Sequence, residues 1–215
     1  MNNSIIIEEK PDWVSWDEIH NVLWEAHGDN RSKGVIMDNN SLPGDKIRDR
    51  IGKDGKMFVA LDGDKVVGTL ALIKKTGKEW YYSGDGGHIC FGAVLSDYSG
   101  KGIYRSLYQL AEKTATQMGL TVLTRSTHEH NERMLKITKQ EGYCFVDYKV
   151  YNNRYNIVRA KWLKDCPYPS WYCKFRYKWS RFWVRLRYKP GKIERFKVIA
   201  FGKRLINKLK RILKN

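Results

Sequence analysis

The chain is poor in cysteine, lacks long apolar runs and is nearly free of acid at one end. Its four cysteines, Cys90, Cys144, Cys166 and Cys173, show no paired metal-ligand spacing, and a chain of 215 residues needs no disulfide staple. They predict a reduced, cytoplasmic protein, with Cys90 and Cys144 as small core residues inside strand patterns. No apolar run approaches the ~20 residues of a spanning helix, which excludes that class. The opening, MNNSIIIEEKPDW, has neither a basic region nor a long apolar core, so no signal peptide is expected. Acid is what the C-terminal part lacks. Residues 164–215 carry 17 Lys and Arg against two acids, Asp165 and Glu194, a net of +15. Of the total of 40 − 23 = +17, residues 1–163 therefore hold only +2. A nearly neutral body and a strongly basic tail call for separate explanations. The apolar fraction of 42% is enough for one real core, so the expected organisation is a domain over 1–163 and an appendage over 164–215.

The most informative stretch of the body is 92–107, GAVLSDYSGKGIYRSL. Ile89, Phe91, Ala93, Val94 and Leu95 read as a strand, followed by turn residues and the glycines Gly100 and Gly102 around Lys101. Ile103, Leu107, Leu110 and Ala111 then fall on one helical face. A strand, a glycine loop and a helix N-terminus aim several backbone N–H groups at one point, next to about half a positive charge from the helix dipole. The stretch predicts a phosphate or pyrophosphate site; an ordinary strand-to-helix turn is the alternative that spacing alone leaves open.

Here the sequence resembles the GNAT acyl-CoA N-acyltransferases, whose signature is a valine-bearing strand followed by R/Q-x-x-G-x-G/A at a helix start. The matching residues are Val94 and then Ser99, Gly100, Lys101, Gly102, Ile103 and Tyr104. A second family block matches at strand 121–125, at Asn131 opening a helix, and at Glu141, Gly142 and Tyr143. The resemblance covers 56–161, extends toward Ile5, and leaves the tail uncovered. It implies an α/β fold: a mixed, mostly antiparallel central sheet with a splayed parallel strand pair and flanking helices, to which the basic amphipathic extension is added. It implies acetyl-CoA as the acyl donor, held by the loop from Ser99 to Tyr104, by the backbone of Val94 and Leu95, and by Asn131. Ser99 stands where Arg or Gln is usual, Tyr104 where Gly or Ala is usual, and Thr138 where many members carry a tyrosine general acid.

His88 lies six residues before Val94, a register that carries the general base in one branch of the family, and an imidazole suits proton removal from an amine. The bland alternative is a hydrogen-bonded strand histidine. With no tyrosine at 138, Tyr143, Ser126 or water is left to protonate the departing thiolate. His128, Glu129 and His130 are a weak metal pattern with no third ligand in view, so no metal is expected.

Other elements read directly. Residues 4–8 are a strand. Ser15 and Glu18 form a capping box for a helix carrying Ile19, Val22, Leu23 and Ala26. Residues 30–40 read as a loop and 45–51 as a short helix. Strands 57–61 and 66–73 are joined at Asp62-Gly63. Residues 74–87 read as a polar connection holding Trp80, Tyr81 and Tyr82, and 143–150 and 155–162 as a closing hairpin turning at Asn152-Asn153.

In the tail, 170–189 interleaves Trp171, Tyr172, Phe175, Tyr177, Trp179, Phe182, Trp183 and Tyr188 with Lys and Arg. After Pro190-Gly191, apolar residues from Ile193 to Ile212 align on one helical face. This composition predicts association of 170–215 with an anionic membrane surface, hence a peripheral place on its inner face. Nucleic acid is a second candidate partner, and folding over its own domain or a partner subunit a third. The expected function is acetyl-CoA-dependent N-acetylation of an acceptor amine, such as an amino sugar in surface-glycan assembly. The competing reading is a catalytically degenerate module whose basic tail binds membrane or nucleic acid. Oligomeric state is not legible.

Overall fold

The computed structural model describes residues 4–28, 42–151 and 154–188. The loop expected over 30–40, the turn at Asn152-Asn153 and the amphipathic segment after Pro190 lie outside the described residues.

Seven strands form one sheet in the order β1-β2-β3-β4-β5-β7-β6. They are β1 (Ile6–Glu9), β2 (Lys56–Asp62), β3 (Lys65–Glu79), β4 (Tyr82–Val94), β5 (Val122–His128), β6 (Cys144–Tyr151) and β7 (Arg154–Trp162). Neighbours are antiparallel except β4 and β5, the parallel pair that the resemblance implies. The helices are α1 (Trp16–Ala26), α2 (Gly44–Ile51), α3 (Ile103–Gln117), α4 (Glu132–Gln140) and α5 (Ser170–Tyr188).

Local chemistry explains the boundaries. The Ser15 hydroxyl accepts from Glu18 N at 3.1 Å and the Glu18 carboxylate accepts from Ser15 N at 2.7 Å, so two N–H groups at the start of α1 are satisfied reciprocally. Ile19, Val22 and Leu23 then bury one face of α1 against β3 and β4. α3 packs across β1 to β4 through Ile103, Leu107, Tyr108, Ala111 and Ala115. Each large side chain buried there, such as Leu70, Leu72 and Leu107, contributes roughly 1.5–3 kcal/mol.

One expected connection is in fact strand. Residues 74–87 continue β3 and β4 as a long hairpin, in register from Lys74↔Gly87 to Glu79↔Tyr82. The composition there is polar because this ladder stands outside the core. Cross-strand contacts stabilise it instead: Lys74 Nζ lies 2.8 Å from the Asp85 carboxylate, which also accepts from the Thr76 hydroxyl. At the tip, Tyr81 joins a second apolar cluster with Val122, Val146, Val158 and Ala160. Trp80 packs edge-on against Tyr168 and Tyr172, with ring centroids 5.5 and 5.6 Å away. These aromatics serve packing.

Within the described residues, the tail from Ser170 to Tyr188 is the helix α5. α5 lies along the free edge of the sheet, where the Ser180 hydroxyl is bonded to both N (3.1 Å) and O (3.0 Å) of Tyr148 in β6. A side chain thus satisfies the exposed edge of the sheet at this point. Arg185 completes the docking by donating to the Glu129 carboxylate at 2.8 Å.

Candidate active site at the splayed strands

β4 and β5 are paired only at Gly87↔Leu123 and His88↔Thr124; beyond that they part. A bulge lies just past the last pair. Thr69 faces Ala93 while Ala71 faces Cys90, so β4 carries an extra residue there, and Phe91 takes a positive φ of 50°. The Thr69 hydroxyl pins the bulge by donating to Phe91 O at 2.9 Å. A bulge bends and twists its strand, which accounts for the divergence from β5.

At the open end of this cleft stands the glycine loop. Gly100 and Gly102 have φ of 81° and 79°, a region that favours glycine, and their missing side chains leave open space. Gly102 is the N-cap of α3. No side chain caps that helix start and no acid lies in its first turn, so its N–H groups and dipole suit an anion. Lys101 lies 4.7 Å from the Tyr98 ring, and the Tyr98 hydroxyl is fixed by donating to Asp62 at 2.7 Å. Ser99 is exposed beside the loop, and Ile103 is buried beneath it. These residues fit the pyrophosphate of a nucleotide-bearing donor.

Of the two backbone positions expected to hold the donor's arm, only Val94 is turned to the cleft. Leu95 N is bonded to Val67 O at 3.0 Å, and Leu95 O accepts from Tyr98 N at 3.0 Å. That bond also makes Gly68↔Val94 a non-hydrogen-bonded pair, so the N–H and C=O of Val94 point away from β3, toward the cleft. The Leu95 side chain is core.

His88 sits at the bottom of the splay. The Thr124 hydroxyl donates to Gly87 O at 3.0 Å and lies 3.1 Å from His88 Nδ1. The hydroxyl's only proton goes to the carbonyl, so Nδ1 carries the imidazole proton and Nε2 the lone pair. Burial, reinforced by Lys75, Arg125 and Arg50, pushes the His88 pKa down to about 3, so the ring is neutral around pH 7. Cys90 is two residues further along β4. Burial pushes its thiol up to about 12, which leaves it protonated and unsuited to nucleophilic attack.

Tyr143 is buried against Tyr108, with ring centroids 5.9 Å apart, and their hydroxyls meet without reaching hydrogen-bond geometry. Burial raises its pKa well above the usual phenol value, and Arg125 beside it works the other way. Tyr104 reaches across the splay. Its hydroxyl accepts from Arg125, and its ring edge would stand 3.0 Å from a β-carbon on Gly92. Asn131 caps α4, its Oδ1 accepting from Met134 N at 3.1 Å.

Sequence reasoning missed Thr124 and Arg125. Arg125 is a buried guanidinium with no carboxylate partner among the described residues. Burial opposes its charge, and the phenols of Tyr104, Tyr143 and Tyr108 outweigh that, raising its pKa. The available signal was an arginine following the apolar and hydroxylic residues 121–124 of the expected strand. Thr138 is buried, its hydroxyl donating to Met134 O at 2.9 Å and accepting from Arg159 of β7. The His128 and Glu129 side chains are otherwise engaged: His128 Nδ1 accepts from the His130 backbone N–H at 3.3 Å, and Glu129 binds Tyr148 and Arg185. Among the described residues no group of three or more His, Cys, Asp and Glu is arranged to hold a metal.

The architecture is similar to several solved structures. An acetyltransferase from Streptococcus agalactiae superposes with a TM-score of 0.60 at 16% identity, covering 76% of this chain and 100% of that one. An aminoglycoside 6'-N-acetyltransferase complexed with coenzyme A gives 0.56 at 16% identity, covering 76% and 99%. A GNAT acetyltransferase from Elizabethkingia anophelis with acetyl-CoA bound gives 0.52 at 16% identity, covering 76% and 100%. At these identities the likeness speaks for the fold. No curated protein matches the chain in sequence. The family model of the GNAT acetyltransferases, however, matches residues 16–143, from the start of α1 to the buried Tyr143, which is more than half of the sequence. With the splayed parallel pair and the glycine loop in place, this chain belongs to the GNAT acetyltransferase family.

Proposed function

We propose that this protein is an acyl-CoA-dependent N-acetyltransferase in which an acceptor amine attacks the donor thioester directly. The reading is supported by three features of the splayed region: the uncapped α3 start, the Val94 backbone turned away from β3, and His88 further back on the same strand. Acetyl-CoA supplies the thioester carbon, where the C–N bond forms and the C–S bond breaks. The N–H groups around Gly100 to Ile103 bind the pyrophosphate. Val94 N–H and C=O hold the arm, and the N–H can polarise the thioester oxygen. His88 Nε2 takes the proton from the nitrogen. That nitrogen becomes strongly acidic once it is acylated, so even a weak base suffices. Tyr143 supplies the proton to the departing thiolate. Its proton is firmly held at rest, and Arg125 beside it stabilises the phenolate that donation leaves. The protonated Cys90 thiol agrees with a reaction that has no acyl-enzyme stage.

The acceptor we infer is an amino sugar of a surface glycan under assembly. The fold's likeness to an aminoglycoside acetyltransferase and the basic C-terminal segment both point that way.

The test is calorimetric titration of acetyl-CoA into the wild type and Gly102→Glu. Glutamate at φ 79° costs about 1–2 kcal/mol of backbone strain and sets a negative charge where the pyrophosphate binds. Binding by the wild type and at least roughly tenfold weaker binding by the variant are expected. Wild type that is folded but does not bind would establish the degenerate-module alternative. Binding without acetylation of any amino sugar would leave the donor site standing and remove the acceptor assignment.

A further inference from the structure

We infer that the outer face of α5 is a docking surface for an anionic phospholipid bilayer. The inner face of this helix is occupied. Cys173 is buried, the Tyr177 ring lies 5.0 Å from Phe145, and Ser180 bonds to β6. From Trp171 to Phe182 the opposite face is mostly apolar and, among the described residues, exposed. Trp171 is 66% exposed, Phe175 52% and Phe182 44%. Trp171, Phe175, Lys178 and Phe182 follow one another at helical spacing on that face. Ring contacts continue from Phe175 to Trp179 (6.0 Å), Trp183 (5.7 Å) and Phe182 (5.5 Å), which makes a ridge along a helix of about 28 Å.

The charge pattern selects the occupant. Ser170–Tyr188 contains six Lys and Arg and no acid, and Lys174, Lys178, Arg181 and Arg187 are exposed beside the ridge. Residues 189–215 add ten more against Glu194 alone. Aromatic rings flanked by cations match the boundary between phosphate headgroups and acyl chains, where each added cation strengthens binding roughly fivefold. A second copy of this chain would set six cations against six. Single-stranded nucleic acid needs separated rings between which bases can stack, whereas these rings pack on one another.

The surface also has a place relative to the cleft. α5 runs along β6, and β5 lies two strands further in, about 10 Å away. A molecule seated on this face holds the splayed strands next to the bilayer, within reach of an acceptor carried on a lipid. The docking itself does not rest on the acetyltransferase reading.

The experiment uses the full chain in vesicle co-sedimentation, with vesicles of phosphatidylcholine alone and of phosphatidylcholine and phosphatidylglycerol in equal parts. The variants are W171S/F175S/F182S and K174E/K178E. All five side chains are exposed, so thermal unfolding like that of the wild type is expected to show both variants folded. Wild type is expected to sediment with the anionic vesicles only, and each variant to bind them at least roughly tenfold more weakly. Wild type that ignores anionic vesicles at low salt overturns the proposal. So does a triple variant that binds like wild type, since binding would then reside elsewhere. Displacement from vesicles by single-stranded RNA, with tighter retention of the RNA, overturns it in favour of nucleic acid. Acetyl-CoA titration of the triple variant reads the cleft independently, so loss of one reading is distinguishable from loss of the other.

Discussion

Exchange of His88 for glutamine is expected to make the fold less sensitive to acid. In the folded protein the imidazole is hemmed in by β5 and faced by Lys75, Arg125 and Arg50, and its pKa is down to about 3. In the unfolded chain it returns to about 6.5. The folded state therefore favours the neutral ring. Below pH ~6.5 the unfolded chain takes up a proton that the folded chain refuses until pH ~3. Stability is full above the unfolded value and falls as pH drops between the two. The linkage relation gives a loss of about 2 kcal/mol between pH ~7 and pH ~5, rising to about 3 kcal/mol at pH ~4. Because the ring is not wholly shielded from water, these values are ceilings. Glutamine can still donate to the Thr124 hydroxyl but cannot titrate. Urea unfolding of both proteins at the two pH values, with unchanged slope, measures the difference. The carboxylates common to both cancel. An equal acid loss in wild type and variant would refute the reasoning, as would an imidazole resonance of His88 that titrates near 6.5.

Tyr143→Phe removes a hydroxyl that makes no well-formed hydrogen bond, so stability is expected to stay within about 0.5 kcal/mol of wild type while kcat falls at least roughly tenfold; a kcat within twofold would take the proton donor's role from it. Arg159 is buried and lacks a carboxylate partner among the described residues, its Nε has no acceptor, and burial pushes its pKa down to about 10. Arg159→Met is therefore expected to be neutral or stabilising, by up to roughly 1–4 kcal/mol, in thermal unfolding; a clear loss would show that its bonds to Leu135 O and Thr138 outweigh its desolvation. Ser15→Ala breaks the capping box of α1 and is expected to cost about 1 kcal/mol in urea unfolding without changing acetyl-CoA affinity.

Much of the fold was legible because its signals are local. The Ser15 and Glu18 pair and the glycines at 100 and 102 depend on chemistry within a few residues, and they mark the ends of α1 and the start of α3. The long hairpin through Trp80 was not legible. Its outer half carries no alternating apolar pattern and exists because one strand continues to pair with the other. The tail was legible as basic and aromatic. That 170–188 is a helix with one face spent on β6 depends on where the free sheet edge ends up, which no local pattern records.

The candidate site divides in the same way. The sequence by itself determined the glycine loop, the strand that leads to it and the histidine behind it, since backbone conformation and residue type fix those within one short stretch. Only the tertiary structure decided which of these groups are free to act. Val94 faces the cleft and Leu95 does not, because the pairing with β3 settles which N–H groups remain. The Nε2 lone pair of His88 follows from Thr124, 36 residues away, whose hydroxyl donates its hydrogen bond to Gly87 O and so accepts from Nδ1. The depressed pKa of that ring arises from Arg50, Lys75 and Arg125, which three separate segments bring to it. Hydrogen-bond direction and electrostatic environment are properties of neighbours in space, and chain folding alone supplies those neighbours.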